Sequence, residues 1–165
     1  MVTRSIIKTL LAGLAPAALL LGLAACSSEP EVPVDATPDA PEGITVTGGR
    51  LNLPGVTGNP GSVYFTITNA SPEMQMLRSA NVAGAESAMF HETSEYNLQV
   101  DMQEMTGVPV QAGETLEFKP GGKHVMVMGI DPALQPGGEV EVTLTFARGD
   151  KISFPARVLA AGDEG

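Results

Sequence analysis

Two runs of the sequence, SVYFTITN (residues 62–69) and EVEVTLTF (residues 139–146), alternate apolar and polar side chains without a break. A period of two places successive side chains on opposite faces of an extended strand. Val63, Phe65 and Ile67 therefore share one face, with Tyr64, Thr66 and Thr68 on the other. In the later run Val140, Val142, Leu144 and Phe146 point one way, and Glu139, Glu141, Thr143 and Thr145 the other. TLEF (115–118) and KISFPARV (151–158) repeat the pattern more briefly, and ITVTGGRL (44–51) reads as an opening strand or pair. Turn text separates these runs: LPGVTGNPGS, NASPE, QAGE, KPGGK, DPALQPGGE and ARGD. No segment sustains a helical period, although a short helical turn is expected near Pro132 to Leu134. One-sided strands at spacings of about 8–12 residues predict an all-β antiparallel sandwich or barrel.

The ends carry a different grammar. Arg4 and Lys8 precede or interrupt an apolar stretch from Ile6 to Leu23, and LAAC closes it at Cys26. A positive start, an apolar centre and small residues before a cut mark a secretory leader over residues 1–25. A membrane-spanning anchor fits less well, because Pro16 and two glycines interrupt a barely sufficient span. LAAC resembles the lipobox of bacterial lipoproteins, in which the leader is removed before a cysteine that then carries lipid. Cys26 is the sole cysteine, so no internal disulfide can form, and lipidation explains the thiol. The resemblance implies a periplasmic protein anchored to a bacterial membrane by lipid. Ser27 after the cysteine favours the outer membrane slightly.

Residues 26–43, rich in proline and acid, are expected to form a disordered tether. Residues 44–160 suit one small β domain, and 161–165 form an acidic tail. Removing the leader takes away Arg4 and Lys8 and no acid, so the net charge moves from −10 to −12. Such a chain does not seek nucleic acid phosphate, and its field mildly attracts cations.

His91 and His124 are the only histidines, and Met89, Met102, Met105, Met126 and Met128 lie in the segments around them. Without free thiolate, Cys-based zinc and iron–sulfur sites are excluded. Thioether sulfur is soft and neutral and selects Cu(I) over zinc, calcium or magnesium. On a strand, His124 and Met126 share a face, and Val125 and Val127 oppose them. Leu98, Val100 and Met102 likewise share a face. If that strand neighbours the His124 strand, three donors converge, and His91 completes the set from the end of the preceding strand, ESAMFH. Met128 has the parity of Met126, but the apolar run to Ile130 assigns it to the core. Met105 replaces Met102 only if the strand bulges at Gln103. Met89 shares the parity of His91 and is expected to pack below it. Glu92, Asp101 and Glu104 flank the donors, either as solvated carboxylates or as groups that orient the imidazoles. No nucleophile sits beside a histidine in a recognisable context, so no enzyme is expected.

The spacing His91, ten residues, Met102, twenty-one residues, His124, one residue, Met126 resembles the H-x10-M-x21-H-x-M signature of the periplasmic PCuAC family of copper(I) chaperones. GVPVQAGETLEFKPGGKHVMVMGI is similar to that family's central block and VTLTF to its closing strand, so the likeness runs from Ser62 to Val158. It implies a cupredoxin-like Greek-key β-barrel or sandwich. It also implies one Cu(I) held by His91, Met102, His124 and Met126, and delivery to a copper-accepting protein such as the copper centre of cytochrome c oxidase or its assembly factors. The chain departs from many members in reading HET where they read HEM, so Thr93 replaces a thioether. It also ends in VLAAGDEG rather than in a tail rich in histidine and methionine; one site is therefore expected. The missing cysteine ligand excludes blue-copper electron transfer. Copper sequestration through the same donors, and a structural lipoprotein without metal, remain as alternatives at this stage.

Overall fold

The computed structural model describes residues 39–96 and 99–163. The leader, Cys26 and most of the expected tether lie outside these residues. Ten strands follow in order: β1 Ile44–Asn52, β2 Gly61–Asn69, β3 Gln75–Val82, β4 Ser87–Tyr96, β5 Gln99–Glu104, β6 Val108–Val110, β7 Thr115–Phe118, β8 Lys123–Met128, β9 Glu139–Phe146 and β10 Lys151–Leu159. No helix occurs among the described residues. At Pro132 the expected helical turn is a single tight turn, in which Asp131 accepts the Leu134 N–H through its carbonyl and the Ala133 N–H through Oδ1.

The strands form one continuous sheet in the order β5-β4-β8-β2-β1-β10-β9-β3-β6, with β7 also paired to β2. All its pairings are antiparallel except β1 with β10, which is parallel. The sheet is thus mixed, where the alternation alone predicted antiparallel pairing. The cause lies in ITVTGGRL, which is one bulged strand and not a pair. The β1–β2 register slips between Thr47 and Arg50. Gly48 there adopts φ 67°, and a Cβ on Gly49 would come within 2.5 Å of the Pro155 carbonyl oxygen. Glycine at both positions lets the strand bend and come close to β10. Beyond the bend, Arg50, Leu51 and Asn52 pair with Arg157, Val158 and Leu159.

The inward faces close around one core. Val63, Phe65 and Ile67 of β2 and Val140, Val142, Leu144 and Phe146 of β9 are all buried, as their alternation requires. Phe65 stacks on Phe118 at 4.2 Å and packs on Phe154 at 5.2 Å, and Phe90 meets Phe118 at 5.9 Å. These rings tie β2, β4, β7 and β10 across the interior, and such aromatic pairs add to the area they bury. Residues 39–43 also contact the domain: Asp39 accepts the Lys151 N–H, Gly43 accepts the Ala70 N–H, and Ala40 packs on the core.

Candidate metal centre

The site begins at the turn that delivers β8. Lys119-Pro120-Gly121-Gly122 closes with the Gly122 N–H donating to the Lys119 carbonyl at 3.1 Å, and Gly121 has φ 74°. Proline second and a positive-φ glycine third are the requirements of a type II turn. Exposed Lys119 also hydrogen-bonds Glu117 at 2.8 Å, and that bond and its charge hold the Glu117 carboxyl below the ordinary carboxylate range. On leaving the turn, β8 takes up Gly61, Ser62 and Val63 of β2, while β7 occupies the farther half of the same β2 edge. The other edge of β8 pairs with β4.

Register then fixes which side chains meet. His91 lies directly opposite His124 in the β4–β8 pair, and Met89 directly opposite Met126. On the far edge of β4, Thr93 faces Met102 and His91 faces Glu104, so Met102 is the diagonal neighbour of His91. Directly opposed residues have Cβ atoms about 4.5–5.5 Å apart and diagonal ones about 7–8 Å, within reach of long side chains. His91, Met102, His124 and Met126 consequently share one face, opposite Phe90, Val125 and Val127 of the core. The sequence argument placed the Met102 strand beside the His124 strand; β4 lies between them. His91 is therefore the centre of the group and not its last member.

The imidazoles are sunk in this outer face, with 7% and 6% of their surface exposed, and their rings lie 5.9 Å apart, inclined by 26°. His124 Nδ1 lies 3.1 Å from the Gly122 carbonyl oxygen, and His91 Nδ1 lies 3.4 Å from that of Met89. A carbonyl can only accept, so each contact places a proton on Nδ1, and in the neutral imidazole the lone pair is then on Nε2. Neither Nε2 has a hydrogen-bond partner among the described residues. A second-partner bond from one ring nitrogen is the usual way a metal-binding histidine is oriented. Here backbone two residues upstream supplies it in both cases. On the neighbouring β2, Tyr64 approaches His124 with ring centroids at 6.4 Å and carries the Arg50 guanidinium 5.0 Å from its own centroid. The thioethers are more open: Met126 is half-buried and Met102 is 52% exposed.

The flanking carboxylates do not orient the rings. Glu92 pairs with Lys123 across the strands at 2.5 Å, on the face opposite His91. Asp101 accepts from Gln103 at 3.0 Å, and Glu104 is exposed. Among the described residues no three His, Cys, Asp or Glu side chains come together; on this face two imidazoles stand with thioether sulfurs. Met105 packs against the core, and the β4–β5 register runs to Glu104 without a bulge, which leaves Met102 as the β5 thioether on this face. Met128 corrects its assignment to the core. It is 39% exposed, because Val125 and Val127 already take the inward positions of β8. Met89 shares the outer face with His91, as its parity requires, and lies opposite Met126.

A model of the family described as "Putative lipoprotein LpqE-like" matches residues 44–158. The curated "Putative lipoprotein Lxx21020" of Leifsonia xyli subsp. xyli is 28% identical over 151 residues, which cover 90% of each chain. Among solved structures, the copper-bound PCuAC domain from PmoF2 matches with a TM-score of 0.62 and 19% identity, over 78% of this chain and 98% of that one. The Cu(I) form of DR1885 from Deinococcus radiodurans matches with a TM-score of 0.51 and 25% identity, over 76% of this chain and 81% of its own. The all-β fold is thus that of a PCuAC domain, as the spacing of histidines and methionines led one to expect.

Proposed function

The chain belongs to the LpqE-like family, and from that membership and the donor geometry we propose that it is a copper(I) metallochaperone, held at a bacterial membrane by lipid on Cys26. The cargo is one Cu(I), bound by Nε2 of His91 and His124 and by the sulfurs of Met102 and Met126. The single observation that carries this reading is the β4–β8 register. It sets two imidazoles directly opposite each other, each with Nδ1 turned to backbone, and puts Met126 on their face, to which the β4–β5 register adds Met102. All four donors are neutral and two are soft, a set that suits a monovalent d¹⁰ ion and disfavours zinc, calcium or magnesium. The names of the structural neighbours, a copper-bound PCuAC domain and a Cu(I) form, agree with it.

The two halves of the site divide the work. The buried imidazoles are pre-oriented and hold the ion. The open Met102 sulfur is the bond an incoming ligand displaces first, so copper can pass through a shared intermediate without redox chemistry. The chain itself catalyses no reaction. Residues 1–25 are removed as leader, and the acidic, proline-rich stretch after Cys26 lets the domain reach a periplasmic acceptor. The copper centre of cytochrome c oxidase or one of its assembly factors is such an acceptor. The outer membrane is the favoured anchor.

Competition of the purified chain against a Cu(I) chelator tests the site, and stopped-flow transfer to an acceptor domain tests the role. One tightly bound Cu(I), passed on faster than it dissociates unaided, is expected. Transfer no faster than free release would reassign the site to copper sequestration. Failure to bind Cu(I) would leave a structural lipoprotein.

A further inference from the structure

The outer face of β4 and β8 holds more sulfur than the four-donor site uses. Met89 lies directly opposite Met126, and Met128 follows Met126 by two residues on β8, diagonal to Met89. All three share the face of the imidazoles. The core beneath them is complete without them, filled by Phe90, Val125 and Val127, so packing does not account for three thioethers there. Their neighbours leave room for the side chains to turn. Ser87 stands opposite Met128, and Ser62 opposite Met126 on the β2 side. The β4–β5 pairing stops at His91, so β5 does not extend over Met89. Burial also grades along the face, from the sunken imidazoles through half-buried Met126 and Met89 to Met128 at 39% exposed.

We propose that Met89, Met126 and Met128 form a second, all-thioether Cu(I) station, which shares Met126 with the four-donor site and through which the ion enters and leaves. The proposal rests on the four-donor reading and adds a path to it. Three neutral sulfurs without imidazole or carboxylate select a soft monovalent ion. The step between stations balances simply. Met126 keeps its bond to copper, the bonds to both Nε2 atoms and to Met102 break, and bonds to Met89 and Met128 form. Copper remains Cu(I), and no proton or electron moves. Because Met126 serves both stations, only one is filled at a time and the stoichiometry stays at one. The ion rests on the imidazoles and visits the sulfurs.

Three variants of the full chain, solubilised in detergent and probed with Cu(I) itself, test this. In His91→Ala/His124→Ala, chelator competition and X-ray absorption should find one Cu(I) with sulfur as its only protein scatterer. It should be bound about a hundredfold more weakly than by the wild type, since loss of outer partners alone costs about 10–100-fold. Adding Met89→Leu and Met128→Leu should abolish that binding; binding that survives them overturns the proposal. Met89→Leu/Met128→Leu alone conserves volume and keeps the fold measurable. It should leave equilibrium affinity within about twofold while slowing both loading and release by roughly tenfold, since a station on the path alters both rates equally. Unchanged rates overturn the proposal while the four-donor reading stands. A wild-type chain that binds no Cu(I) overturns both.

Discussion

The two faces of the β4–β8 pair obey different rules. Inward, Phe90, Val125 and Val127 are at most 2% exposed and apolar, and the Glu92–Lys123 ion pair closes this face at the strand end. Outward, the alternating positions of the same two strands carry His91, Met89, His124, Met126 and Met128. The inward row contributes to stability through burial; the outward row contributes little to the core and concentrates soft donors. A strand's period of two lets one short segment carry both sets without compromise. Fold and metal binding should therefore be separable by mutation, one face at a time.

The sharpest way to break that comparison is on the inner face. Phe90→Ala should cost about 3–5 kcal/mol of stability, read by denaturant unfolding, with Cu(I) affinity of the folded fraction little altered. Next comes the outer face: His124→Ala should weaken Cu(I) binding by up to about a hundredfold, about 2.7 kcal/mol, with the unfolding midpoint nearly unmoved. A collapse of stability in that variant would mean that the imidazole is structural. Met102→Leu removes the most open donor, and its affinity loss in chelator competition should be nearer tenfold, about 1.4 kcal/mol. The smallest effect is expected at the strand end, where Lys123 bridges Glu92 with both side chains partly exposed. Lys123→Met should change stability by less than about 1 kcal/mol and leave copper affinity alone. A large loss of affinity there would show that this ion pair positions the rings after all.

Much of this was legible in the residues themselves. Alternation alone marked β9 to its ends and β2 to within one residue, because both carry one fully apolar face. It passed over β3, where only Leu77 and Val82 are buried in eight residues, and β6, which is three residues long. The parallel β1–β10 pair was beyond reach, since it depends on a glycine bend and a partner more than a hundred residues away. The four candidate donors were picked out by spacing, because a fixed interval between rare residue types survives ignorance of the strand order. That order decided the rest. With β4 in the middle of the group, His91 became its centre, Met128 turned outward, and the carboxylates proved to be engaged elsewhere or solvent-exposed. The backbone carbonyls of Met89 and Gly122 as partners of the rings leave no trace in side-chain chemistry, so no motif could have announced them.

X-ray absorption of the chain loaded with a single Cu(I) tests the central assignment most directly. A first shell of two nitrogens and two sulfurs at one copper per chain is expected, with one nitrogen lost in His124→Ala and one sulfur lost in Met126→Leu. A shell dominated by oxygen, or one unchanged in those two variants, would contradict the placement of copper on the outer face of β4, β5 and β8.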